Sequence, residues 1–170
     1  MSLWFLDSSV LLACEDPDDE NHGDARRLLG GSDQLATLDL ALYEVTNVAI
    51  RAWHDRSAAH RLRERVTAVA DDGGLLRATA ALISDAAAVA DEHGISVYDA
   101  AYVVAARVSG GELVSCDIRD LVSRRLARLP GDALVTSACG PSITVARHAT
   151  LPPWPETSPS GSFGTTAARS

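Results

Sequence analysis

The chain has 170 residues, 46% of them apolar and 22% charged, which suits one soluble globular domain with a substantial core. No apolar run reaches the ~18 residues of a membrane span, and no basic stretch leads into an apolar one at the N-terminus, so a cytoplasmic protein with no membrane partner is expected. A net charge of −8 argues against broad electrostatic attachment to nucleic acid, and three cysteines with no CxxC pair suggest neither a disulfide framework nor a zinc site.

In chain order, Leu3 to Leu6 reads as a short buried strand ended by Asp7-Ser8-Ser9, followed by a short helix over Val10 to Cys14. The acidic stretch Glu15 to Glu20 reads as a loop, Asp24 to Leu29 as a helix stopped by Gly30-Gly31, and Gln34 to Leu38 as a second strand. Helices are predicted over Leu40–Trp53 and Ser57–Ala70, a third strand over Leu75–Thr79, and a helix over Ala80–His93 with Gly94 as its stop. The next helix starts at Val97, is apolar almost all round, and ends near Gly110-Gly111. Then come a strand over Glu112–Cys116, a helix over Ile118–Leu129 closed by Pro130-Gly131, and a last strand over Ala133–Ser137. Alternation of short apolar strands with helices predicts an α/β fold, a three-layer α/β/α sandwich around a central parallel sheet, over residues 1–138. Residues 139–170, rich in Pro, Ser and Gly, read as a loosely ordered accessory tail.

Open parallel sheets form their sites beyond the carboxyl ends of the strands, where strand order reverses. Asp7 ends the first strand and Asp117 ends the strand "ELVSC", so the two acids face each other if those strands are neighbours at the reversal. Each also fits an ordinary helix cap. In "LALYEVTNVAIRAW", Glu44, Asn47 and Arg51 form a narrow polar stripe on a helix otherwise suited to burial. That stripe is either a solvated face or a pocket wall. Asp99 stands in the first turn of the apolar helix, where an acid also complements the dipole. If these four carboxylates share one cleft, two charges ~4 Å apart cost about 4 kcal/mol at an effective dielectric near 20. Such a pocket protonates in part or binds a hard cation, Mg²⁺ or Mn²⁺.

The stretches "LDSSVLL", "YEVTNVAIRAW", "VYDAAYVVAA" and "LVSCD", in this order and spacing, resemble the PIN-domain family and, more narrowly, the VapC toxins of bacterial toxin–antitoxin modules. The resemblance spans roughly Leu3 to Ser137. It implies a catalytic quartet of Asp7, Glu44, Asp99 and Asp117, with the small hydroxyls Ser9 and Ser115 beside the first and last acids. It further implies an endoribonuclease using Mg²⁺ (Mn²⁺ as substitute), with Asp7 and Asp99 as main metal ligands and Glu44 and Asp117 ligating directly or through water. Products with a 5′-phosphate and a 3′-hydroxyl would follow from attack by water. The implied partners are RNA, a small VapB-like antitoxin and a second copy in a homodimer, with the helices Leu40–Trp53 and Ser57–Ala70 as a docking groove by analogy.

Several residues stay open at this stage. Arg51 either touches phosphate or steadies Glu44. Asp120 is either an added ligand or, the preferred reading, a charge in a first helical turn. Ser115 stands where the family more often has Thr. The clusters Arg61–Arg63–Arg65 and Arg124–Arg125–Arg128 either guide RNA or merely solubilise their helices. Tyr102 reads as core packing or pocket rim, Cys116 as core, and the five histidines, His22 included, as surface or capping groups. A regulatory RNA- or protein-binding module whose acids grip a cation without turnover is the competing reading. A phosphoaspartyl domain is disfavoured because the chain contains no Lys.

Overall fold

The structure is a computed structural model describing residues 2–139; the tail expected over 139–170 lies outside the described residues from 140 onward. Strands β1 (Leu3–Leu6), β2 (Gln34–Leu38), β3 (Leu75–Leu76) and β4 (Glu112–Val114) form one wholly parallel sheet in the order β3-β2-β1-β4. Trp4, Phe5 and Leu6 are buried in succession, which a strand achieves only when both sheet faces are covered. The covering helices are α1 (Ser8–Glu15), α2 (His22–Leu29), α3 (Leu40–Arg51), α4 (Arg56–Asp71), α5 (Ala80–His93), α6 (Val97–Ser109) and α7 (Pro130–Cys139). Helix α6 lies against β1, β2 and β4 with α5 packed on it; α4 covers β2 and β3, and α1 and α3 pack against α4. This is the expected α/β/α sandwich.

Helix ends follow local chemistry. Asp55 caps α4 by accepting from the Ser57 and Ala58 amides, and Thr79 caps α5 through the Leu82 amide. Gly94 closes α5 in the left-handed conformation (φ 62°), as its place in the sequence predicts. The third strand is shorter than expected. After Leu76 the chain leaves the ladder, the Ala78 amide bonds to Asp39 Oδ1 at 3.0 Å, and Thr79 turns into α5.

Two expected elements differ in kind. The helix expected over Ile118–Leu129 is a π-helical turn over Ile118–Val122, held by Val122 N–H to Asp117 C=O and Ser123 N–H to Ile118 C=O. Arg125 then takes a left-handed φ of 60°, and the chain returns to flank β4, with Arg128 N–H on Leu113 C=O and Ser115 N–H on Arg128 C=O. The edge pairing gives the Leu113 carbonyl and the Ser115 amide at the open side of β4 their backbone partners. The strand expected over Ala133–Ser137 lies inside helix α7. Pro130 begins that helix at its first position, where a missing N–H costs nothing, and Asp132 sits in its first turn.

Gly74 marks the closest backbone approach. A Cβ there would lie 2.1 Å from the Leu35 carbonyl oxygen on β2, while the Gly74 carbonyl holds the Thr37 amide at 2.8 Å. Gly74→Ala must therefore push β3 off β2. Urea unfolding is expected to show a loss of about 2–3 kcal/mol, whereas Gly23→Ala, with open space around the added carbon, changes stability little.

Candidate active site

The strand order reverses between β1 and β4, so the crevice at their carboxyl ends is where this topology places a site. Asp7 leaves β1 at that point, its amide on the Val114 carbonyl of β4 at 3.0 Å. Although Asp7 occupies the N-cap of α1, its side chain makes no capping bond. It is instead held by hydroxyls. Ser115 Oγ donates to Asp7 Oδ2 at 2.6 Å, Ser9 Oγ donates to the same oxygen at 2.8 Å, and Ser8 Oγ donates to Oδ1 at 3.3 Å. The two closer serines are themselves fixed by backbone. Ser9 Oγ accepts from the Cys116 amide at 2.9 Å, and Ser115 Oγ accepts from the Asp117 amide at 3.0 Å. The carboxylate at the end of β1 is thereby tied to the chain leaving β4.

Glu44 lies one turn into α3, half-buried, and its Oε2 accepts from the Tyr102 hydroxyl at 2.6 Å. Tyr102 belongs to α6 and is wholly buried, so this bond joins two helices at the pocket. Asp99 occupies the first turn of the same α6. Ser96 caps that helix, accepting from the Asp99 amide at 3.0 Å and donating to Asp99 Oδ2 at 2.7 Å. Seven consecutive buried residues, Ala100 to Ala106, seat α6 in the core and hold its N-terminus still.

Asp117 caps the π turn, its Oδ1 accepting from the Asp120 amide at 2.9 Å. That local bond brings Asp120 back toward the pocket. Carboxylate oxygens of Asp99, Asp117 and Asp120 lie within 4.8 Å of one another. Asp120 is thus both a first-turn charge, as preferred, and a member of the acidic group. Arg119 grips Asp120 through its guanidinium, and Arg124 lies 3.9 Å away. Asp7 stands outside this triad, and the field of Asp99 joins the triad to Asp7 and Glu44.

The electrostatics follow from crowding and burial. Burial pushes the Asp7 carboxyl above its ordinary value against the pull of Ser115 and Ser9, and Asp99 raises it further. Glu44 is raised in the same way, chiefly by burial, with Tyr102 and Ser8 opposing and the charges of Asp7 and Asp99 adding. Asp120 moves the other way, its carboxyl held low by Arg119. The Tyr102 hydroxyl is raised by burial and by Glu44, so it stays a donor, and the Cys116 thiol is pushed up to about 12 by burial, so it stays inert. An all-oxygen donor set crowded with like charge fits a hard divalent cation.

The remaining expected contributors lie elsewhere. Arg51 is exposed in the last turn of α3 and makes no ion pair among the described residues; Tyr102 is what steadies Glu44. Arg61 and Arg65 clamp the nearly buried Glu15 at 2.5 and 3.3 Å, joining α1 to α4, and Arg128 pairs with Glu112. His22 bonds the Ala13 carbonyl at 2.9 Å. Ser8 is the pocket group that reading the sequence passed over, and Tyr102, read there as core packing or pocket rim, is buried with its hydroxyl on Glu44. The i, i+3 spacing of Asp99 and Tyr102 is the signal that puts the ring near the acids.

The sequence matches the PIN domain family over residues 4–137. It is similar to Ribonuclease VapC3 of Pyrobaculum aerophilum, at 34% identity over 117 residues, covering 66% of this chain and 87% of the relative. The fold is similar to that of Mycobacterium tuberculosis VapC20, a sarcin–ricin loop cleaving toxin, with a TM-score of 0.54 and 24% identity over 68% of this chain and 91% of that one. It is also similar to a toxin–antitoxin complex from Klebsiella pneumoniae, with a TM-score of 0.57 and 17% identity over 76% of this chain and 98% of that one. At these identities the two solved structures speak for the fold.

Because Asp7 and Glu44 bind protons more tightly in the fold than in the unfolded chain, the stability they contribute is complete below their ordinary values of 3.8 and 4.5 and is lost as pH rises through their higher folded values. Asp7→Asn, which keeps an acceptor for both serines, is therefore expected to raise Tm at pH 7 in EDTA, with the advantage vanishing as pH falls below about 4. Calorimetry across pH in EDTA tests this. Added Mg²⁺ or Mn²⁺ should raise the wild-type Tm by mass action and the variant's much less.

Proposed function

Because the chain belongs to the PIN-domain family, we propose that it is a divalent-metal-dependent endoribonuclease and the toxin of a type II toxin–antitoxin module. The observation that carries this reading is the gathering of acids from separate elements at one sheet edge: Asp7 after β1, Glu44 on α3, Asp99 on α6, Asp117 after β4. A bound Mg²⁺ supplies an activated water and neutralises charge growing on the phosphoryl oxygens. Asp7 and Asp99 are its main ligands in this reading, with Glu44 and Asp117 acting directly or through water and Asp120 a further candidate. Ser9 and Ser115 aim Asp7 and oppose the upward pull of burial on its carboxyl; Tyr102 does the same for Glu44. Water attack leaves a 5′-phosphate and a 3′-hydroxyl.

The ribonuclease name of the VapC3 relative and the toxin–antitoxin complex among the structural neighbours support this reading. A small VapB-like antitoxin would cover the cleft with a basic side chain set among the acids, and a homodimer is expected from the family. No helix among the described residues is long and apolar enough to cross a membrane, in keeping with action in the cytoplasm on cellular RNA.

Purified protein incubated with structured RNAs should cut them with Mn²⁺ or Mg²⁺ and stop cutting in EDTA. Asp99→Asn is expected to lower kcat/KM by on the order of 10²–10³, and Ser115→Ala by about tenfold, a loss typical of removing a group that orients a ligand. Metal-stimulated RNA binding with no cleavage of any substrate would replace the enzyme with a binding module.

A further inference from the structure

Two exposed apolar side chains, Tyr98 and Ile118, adjoin the acids in sequence and are left unused by the chemistry above. Tyr98 precedes Asp99 in the first turn of α6 and is 64% exposed, although the helix beyond it is buried from Ala100 to Ala106. At about 100° per residue, Tyr98 and Asp99 lie about 40° and 60° to either side of Tyr102 and one turn nearer the helix start. The Tyr102 hydroxyl touches Glu44, so this is the face of α6 that looks into the pocket. On the segment that supplies the other two acids of the triad, Ile118 is 51% exposed and stands in sequence between Asp117 and Asp120.

An anionic strand has little electrostatic reason to settle on this surface. The chain carries a net charge of −8, and Arg119 and Arg124, the cations paired with an acid of the triad, both face Asp120. A bound metal ion accounts for one phosphate. Residence of the flanking nucleotide then needs a contact indifferent to charge, and stacking of a base on an aromatic ring is such a contact. We infer that Tyr98 is a specificity-determining residue that stacks the nucleobase beside the scissile phosphate, with Ile118 as a second apolar contact. The inference rests on the ribonuclease reading. It makes the preferred substrate an RNA whose base at the cut is free to leave its own stack, because bases inside a duplex are already stacked on their neighbours. The phenol needs no hydroxyl for this role, so the ring alone matters.

The test uses the full chain with Mn²⁺ and an oligoribonucleotide that the wild type cleaves, carrying 2-aminopurine beside the mapped cut. Tyr98→Ala should raise KM about 10- to 100-fold with kcat nearly unchanged, and should abolish quenching of the 2-aminopurine on binding in an Asp7→Asn background. Tyr98→Phe should restore both KM and quenching. Val108→Ala, which removes an equally exposed apolar group at the far end of α6, should match wild type. An unchanged KM and quench in Tyr98→Ala overturns the inference, as does a loss that Tyr98→Phe fails to rescue. A defect seen only in binding a protein partner also overturns it and assigns the ring to that partner. Failure of the ribonuclease reading looks different: the wild type itself then cleaves no RNA.

Discussion

The pocket depends on one buried carboxylate held by two hydroxyls. Asp7 is 6% exposed, and water can do little to stabilise its charge. Ser9 and Ser115 replace that water, and each hydroxyl in turn accepts a backbone amide from the segment leaving β4. The same four hydrogen bonds thus serve two purposes. They keep a charge tolerable inside the fold, and they fix where Cys116 and Asp117 leave the sheet. Asp117 in its cap position then draws in Asp120, so the geometry of the acidic triad descends from the fastening of Asp7.

Helix α6 supplies the second constraint. Its apolar middle is wedged in the core, and its N-terminus brings Asp99 to the sheet's carboxyl edge without the slack of a loop. The capping role of Ser96 and the placing of Asp99 are compatible, because Ser96 Oγ accepts the Asp99 amide and donates to Oδ2 while Asp99 still brings a carboxylate oxygen to the acidic triad. One turn deeper, Tyr102 converts the packing of α6 into a position for Glu44 on α3. Helices carry Glu44 and Asp99, while Asp7 and Asp117, where the chain leaves β1 and β4, are held through Ser115.

Charge is organised on the same principle across the molecule. Arginines that might form an RNA track are largely engaged in structure: Arg61 and Arg65 on Glu15, Arg128 on Glu112, Arg119 on Asp120. The clusters visible in the sequence therefore say more about how α1 meets α4, and how the chain returns to the β4 edge, than about a polyanion. The field at the pocket stays negative, which makes a cation the natural link between these acids and a phosphate.

Sequence alone was enough for the sheet's apolar strands, the long amphipathic helices and their stops, and the four spaced acids with their neighbouring serines, because burial on both faces, helical period and motif spacing are local properties. It misjudged the stretch after Asp117. There "IRDLVSRRLARL" has helical periodicity, yet a left-handed Arg125 and an edge pairing with β4 take precedence, and Pro130 opens a helix instead of closing one. Tertiary structure alone decided that β1 and β4 are neighbours, that Asp120 joins Asp99 and Asp117, and that Tyr102 reaches across to Glu44 on α3. Those outcomes depend on which distant segments share a boundary, and no spacing along the chain encodes the separation between them.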